Sequence, residues 1–380
     1  MVDLTLLYFI LGIINRAFIL GVWGGFSSLG ILTGKLIGGV FVDALGSFRV
    51  LKVSLSLMIL ELFIIAYLIH LYFIVFHILI LSLLILLGSI GGFLASLYDL
   101  SLTTFIGVVH ERSVGIRIYS MLNAIRMFLA IIIPLMWITL SQNLSPSYII
   151  VISSLLVITG VLLSATISFK DSKPFKVKIN IIDGLANYMD IAFKIINNSI
   201  LKHLLIVYVF VGGMLSVFMN MISLIIAFKA LGEVGLGFIN SLLAVISALL
   251  FITFSVLKLS SRRIITILYP ISLLTVGLIL SLTLLNYAPL VFIAAATVNV
   301  YLTLATYHLA NIIYTITDKD TMGKFFAFYQ SSLTISTILL RIASGVLVDI
   351  IGIKITITII TISILPFILF MRLSLKKLYL

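Results

Sequence analysis

An all-α integral membrane protein of about twelve spans is the fold class this sequence predicts, and three observations carry the prediction. Of its 380 residues, 62% are apolar and only 9% are charged, against roughly 25% charged residues in a soluble domain. Mean hydropathy is +1.35. Runs of 18 or more apolar residues recur from end to end, the length a helix needs to cross a hydrocarbon core of about 30 Å. The runs do not alternate in units of about ten residues, as the strands of a membrane β-barrel would.

Taken in order, the first apolar piece, residues 3–20, is short and is interrupted by Asn15 and Arg16. It reads as a short or incomplete first helix. Five more spans follow near 25–43, 50–69, 75–106, 115–139 and 147–168. A polar segment, KDSKPFKVKINIIDGLANYMDIAFKIINNS, then separates them from six spans near 203–228, 235–257, 264–284, 287–313, 325–348 and 353–371. The organisation expected is a six-helix bundle over 1–169, a linker over 170–198 and a second six-helix bundle over 199–380. Within the linker, Lys170 to Lys178 is expected on the inner leaflet against anionic headgroups. Residues 179–198 are expected to form an interfacial amphipathic helix, weakened at Gly184. A cleavable leader is not expected, because the first residues carry no basic region.

Charge sets the orientation. With a cytoplasmic N-terminus, eighteen Lys and Arg residues fall in inner connections and three in outer ones (Arg16, Lys229 and Lys354). Such a bias predicts both termini inside, and the plasma membrane is the expected location. The two tryptophans, Trp23 and Trp137, are expected at the outer interface as an aromatic belt. A net charge of +12 spread over short connections fits lipid contact better than nucleic acid. Without cysteine there is no disulfide, thiolate metal site or thiol catalysis. Neither a P-loop nor a HExxH motif is present, and no His and carboxylates cluster at metal-ligand spacing. No enzyme activity, cofactor or metal is expected.

One phrase is written twice. GKLIGGVFVDALGSFRVL (34–51) and RIASGVLVDIIGIKIT (341–356), aligned on Asp43 and Asp349, match in type at Lys35/Arg341, Gly39/Gly345, Val40/Val346, Val42/Val348 and Gly46/Gly352. Two halves of six spans, a basic linker and this charged turn after the second span resemble the major facilitator superfamily. Gly39, Asp43, Gly46 and Arg49 keep positions of the family's motif between helices 2 and 3. Ala44, Ser47 and Phe48 stand where the family usually carries basic residues. The region equivalent to that turn in the second half, VLKLSSRRI, has Arg262 and Arg263 but no aspartate. The resemblance implies two parallel six-helix halves of inverted three-helix repeats, with helices 2 and 11 meeting where gates open, and a gating role for the four motif residues.

An ionisable side chain in mid-span costs at least ~2.5–3.5 kcal/mol on insertion scales, and persists where it faces a cavity or a partner. Lys35, Arg126 and Arg341 are the cationic candidates. Lys35 lies too far from the helix end to snorkel, whereas Arg341 is close enough to the outer end to do so. Asp99 is the acidic candidate, as a partner of Lys35 or Arg126 or as a proton carrier. Glu61, mid-way along the third span, is expected to be protonated or paired with another helix. His308 is either a proton relay or simply hydrogen-bonded. Asn220, Asn240, Asn299, Tyr301 and Asn311 offer hydrogen bonds to a solute or between helices. Gly88, Gly91 and Gly92 are expected to permit close packing.

These features point to a secondary-active transporter of a small solute by alternating access. A proton is the candidate coupling ion, and the basic excess leans toward an anionic or carboxylate-bearing solute. An efflux carrier of amphipathic compounds and a non-transporting membrane sensor or enzyme on the same fold are the alternatives. A monomer is expected.

Overall fold

The computed structural model describes residues 1–75, 78–109, 112–166, 199–257, 261–285, 288–316 and 319–379. The polar linker with its expected interfacial helix lies outside them. Every regular element among the described residues is helical. We number them α1 (Val2–Tyr8, continued by a π-helical turn, Phe9–Ile14), α2 (Ala17–Leu45), α3 (Ser47–Ile74), α4 (Ile78–Val109), α5 (Arg112–Asn143) and α6 (Pro146–Thr166). The second set is α7 (Ser199–Val217, continued by the π-helical turn Phe218–Ile222), α8 (Ser223–Leu257), α9 (Ser261–Leu284), α10 (Ala288–Ile316), α11 (Lys319–Ile351) and α12 (Ile353–Tyr379).

Nine helical stretches among the described residues are long and apolar enough to cross a membrane, with Val2–Ile14 and Ile353–Ile368 as shorter apolar helices. One of the nine, Tyr208–Leu250, has 43 residues, about twice what one crossing needs. It is broken at Gly232 (φ 58°, ψ −137°), a backbone conformation that glycine adopts cheaply. The chain reverses there: a Cβ on Gly235 would strike the Ala227 carbonyl, whereas eight residues of straight helix would separate the two by about 12 Å. Large apolar side chains face outward, among them Ile78 at 74% exposure and Ile350 at 73%. That inverts the soluble pattern and suits hydrocarbon. The protein is a multi-pass membrane protein.

The chain forms two compact units. One comprises Met1–Asn15 with Val22–Ile181, and the other Arg16–Gly21 with Ile182–Leu380. The same pairings recur in each. In the first, α3 packs on α4 and on α6; in the second, α9 packs on α10 and on α12. In the first unit α2 and α4 touch backbone to backbone. A Cβ on Gly30 would collide with the Ser89 carbonyl, and one on Gly92 with the Ser27 carbonyl. Small residues at such crossings let helices approach where no hydrophobic driving force separates protein from lipid, the role expected of the α4 glycines.

Two sequence expectations change. The second span begins at Ala17 rather than near residue 25, and the break falls at Asn15, which takes the left-handed conformation (φ 53°). Asparagine tolerates that region better than most residues. The two tryptophans form no belt: Trp23 is 9% exposed and Trp137 is fully buried, its indole N–H donating to Thr5 Oγ1 at 3.0 Å. An apolar ring with one donor is as well served by a buried acceptor as by an interface. π-helical turns extend α1 and α7.

Candidate functional site

The turn written twice is built twice. Gly46 (φ 90°) closes α2 and Gly352 (φ 84°) closes α11. The Gly46 N–H donates to Val42 O at 3.0 Å, and the Gly352 N–H to Val348 O at 3.1 Å. Each glycine carbonyl then accepts the first bond of the next helix, from Val50 N–H at 3.1 Å and from Thr356 N–H at 3.2 Å. A residue with a Cβ is strained at such φ values, so glycine at both positions is a backbone requirement. After the first turn, Phe48 stands where the resemblance leads one to expect a basic residue. It is buried, stacks on Phe105 of α4 with centroids 5.0 Å apart, and carries the Lys52 ammonium 4.3 Å from its centroid. Arg49 is exposed. The side chain of Asp43 and the surroundings of Gly39 lie outside the described residues.

Asp349, the counterpart of Asp43, has a role that the sequence alone does not reveal. Its Oδ1 accepts the Ala17 N–H and its Oδ2 the Phe18 N–H, both at 3.0 Å. The first N–H groups of a helix have no partner within it and carry the positive end of its dipole. A carboxylate from α11 therefore caps α2 inside the second unit. Close backbone contact accompanies the cap. A Cβ on Gly21 would meet the Arg341 carbonyl at 2.5 Å, and one on Gly345 would meet Ala17 O and Phe18 Cα at 2.9 Å. The signal available in the sequence was the Asp349/Asp43 match together with Gly345.

Of the mid-span charges, the structure joins two. Arg126 Nη1 of α5 lies 2.7 Å from Asp99 Oδ1 of α4, with the side chains 40% and 59% exposed. The pair is thus open to whatever fills the space beside it, not sealed in the bundle. Lys35 is exposed on α2, and among the described residues no ion pair reaches it. Arg341 is half-buried on α11.

The polar uncharged candidates mostly serve helices. Asn220 sits in the π-helical turn after α7 and donates to Ser216 O and Oγ. Asn240 donates to Leu236 O. Asn299 of α10 donates to Leu243 O at 2.9 Å and Ser247 Oγ at 3.0 Å, which clamps α10 to α8. Tyr301 is 1% exposed. His308 is buried and bonded through Nδ1 to Tyr208 Oη at 2.6 Å. Of the two uses the sequence leaves open for these groups, the bonds formed by Asn220, Asn240, Asn299 and His308 are protein–protein. The Asn311 side chain lies outside the described residues.

Glu61 is 7% exposed in the middle of α3, against the small face of α4: a Cβ on Gly91 would collide with its Oε1. Among the described residues, no group of three or more His, Cys, Asp or Glu gathers as metal ligands.

No protein-family profile matches the chain, and no curated protein does. Solved structures match along nearly its whole length. A mutant form of the nucleoside transporter NupG is 14% identical, with a TM-score of 0.73, over 97% of this chain and 94% of that one. The inward-open xylose transporter XylE from E. coli is 12% identical, with a TM-score of 0.64, over 92% and 85%. A POT family transporter in complex with 5-aminolevulinic acid is 14% identical, with a TM-score of 0.62, over 95% and 87%. Sequence identity this low carries the architecture and nothing finer. The chain has the fold of these nucleoside, xylose and POT transporters.

Proposed function

We propose that the chain is a secondary-active transporter that moves a small solute across the plasma membrane by alternating access. The observation that carries this reading is the half-exposed Asp99–Arg126 pair within a fold shared with nucleoside, xylose and POT transporters over more than nine-tenths of the chain. A charged pair costs free energy in mid-membrane unless it is used. Arg126 and Lys35 are the groups proposed to meet the solute. Asp99 holds Arg126 in place and is the candidate carrier of a coupling proton. Three mid-span cations (Lys35, Arg126 and Arg341) against few acids favour an anionic or carboxylate-bearing solute. Gly39, Asp43, Gly46 and Arg49, with Asp349 capping α2, form the gating elements. Both termini are placed in the cytoplasm by the charge bias, and the working unit is taken as a monomer.

The test is uptake of labelled organic anions into proteoliposomes holding the purified protein, with and without a pH gradient. Accumulation that collapses in Lys35→Ala and Arg126→Ala supports the reading. Full transport by both variants refutes the cationic site, and uptake only of uncharged amphipathic compounds replaces it with the efflux reading. Absence of transport for every solute class tried returns the fold to a sensor or enzyme role.

A further inference from the structure

Inside the first unit lies a cavity of about 270 Å³ whose walls come from α1, α2, α3, α4 and α6. Asp3 and Glu61 both line it, and Ser27, Ser153 and Trp23 are its other polar walls. No Lys, Arg or His is among the lining residues; the N-terminal ammonium stands beside the exposed Asp3, and Glu61 is the carboxylate left without a cation. Glu61 is 7% exposed, so one carboxylate is almost wholly withdrawn from solvent with an acid for its charged neighbour. Trp23 is 9% exposed, and its buried indole N–H has no hydrogen-bond partner. That N–H lies over the cavity wall at Gly88, where a Cβ would come within 2.6 Å of Nε1.

Each feature leaves an unmet requirement. A buried carboxylate without a cation is among the most costly groups in a protein interior. A buried donor left unsatisfied costs the desolvation of that group. The rest of the wall is aliphatic, including Leu6, Ile31, Met58, Leu62 and Ile65. Two carboxylates and two hydroxyls reach the six oxygens of a metal ion only if both carboxylates bind through both of their atoms, so a bare cation is the competing occupant and sodium is an arm of the test. At about 30 Å³ per water, the volume corresponds to roughly nine waters, the size of a solute of eight to ten heavy atoms.

We propose that this cavity binds a small organic ammonium compound whose amine sits between Asp3 and Glu61, whose aliphatic body lies on the α1, α2 and α3 side chains, and which carries an oxygen that accepts the Trp23 N–H. The site is distinct from the Asp99–Arg126 pair. It stands whether or not its occupant is the solute carried, so binding and transport are tested separately.

The probes are leucinol, its uncharged analogue 4-methylpentane-1,2-diol, and sodium chloride. They are added to the purified full chain in detergent at constant ionic strength. Binding is read from the thermal midpoint and from Trp23 fluorescence in a Trp137→Phe variant, where Trp23 is the only tryptophan. Leucinol is expected to raise the midpoint and shift the emission saturably, with the diol and sodium at least tenfold weaker. Glu61→Gln and Asp3→Asn, which keep shape and remove charge, should each weaken leucinol at least tenfold. Trp23→Phe should weaken leucinol but leave 4-methylpentylamine, which lacks the acceptor, unchanged. Equal effects of the diol, reproduction of the effect by sodium, or no saturable response in the wild-type chain would each overturn the proposal. Should Trp137→Phe fail to fold, the wild-type midpoint and the Glu61→Gln comparison decide alone, because neither uses that variant.

Discussion

Asp349 holds the start of α2 through Ala17: Oδ1 accepts the Ala17 N–H at 3.0 Å while Oδ2 accepts that of Phe18 at the same distance. The cap comes from 332 residues further along the chain, so the first turn of α2 exists in this form only while α11 is beside it. Removing a helix cap costs about 1 kcal/mol. Asp349→Ala should therefore loosen the turn by roughly fivefold. The chain has no cysteine, so a Phe18→Cys reporter can be read cleanly. Its maleimide labelling should accelerate by about that factor in Asp349→Ala, and identical rates would show that the turn does not need the carboxylate.

The Asp99–Arg126 pair is half-exposed, which limits what it adds to stability to about 1 kcal/mol or less. Asp99→Asn and Arg126→Gln should thus shift the thermal midpoint little, while each impairs transport severely. A double-mutant cycle on the midpoint should return a coupling energy within that bound. Midpoint losses of many degrees with transport retained would mark the pair as structural.

Two glycines with open space around them should respond oppositely to alanine. Neither Gly352 nor Gly160 has an atom within 4 Å of an added Cβ. Gly352 has φ 84°, where an alanine costs on the order of 1–3 kcal/mol. Gly160 lies within α6, where Ala is the better helix former by up to about 1 kcal/mol. Thermal midpoints in detergent should fall for Gly352→Ala and hold or rise for Gly160→Ala. A fall of the same size in both would mean that space, not backbone conformation, decides.

Asn299 is a candidate for solute contact by sequence and a clamp between α10 and α8 by structure. Asn299→Leu fills similar volume but leaves Ser247 Oγ and Leu243 O without that donor, a loss of about 1–3 kcal/mol. The midpoint should fall while the ranking of transported solutes stays the same. A changed ranking at unchanged stability would return Asn299 to the solute.

The helices themselves were legible from composition and span length, because the bilayer imposes one length and one hydrogen-bonding solution on every crossing. The repeated turn was legible as well, since Gly46 and Gly352 answer a local backbone demand that leaves a mark at each site. The α4 glycines were readable for a related reason: close approach excludes every other residue.

What the sequence left open were choices among partners. Asp99 had two cations within conceivable reach and took Arg126. Trp23 and Trp137 carry the composition of an interfacial belt yet are buried. The start of α2 was misplaced by about eight residues, because its cap is Asp349, and nothing near Ala17 in sequence announces a carboxylate arriving from α11. Local physics, set by the membrane and by backbone sterics, is written residue by residue; the pairing of charges and caps depends on which helices the fold brings side by side, and only the tertiary structure decided that.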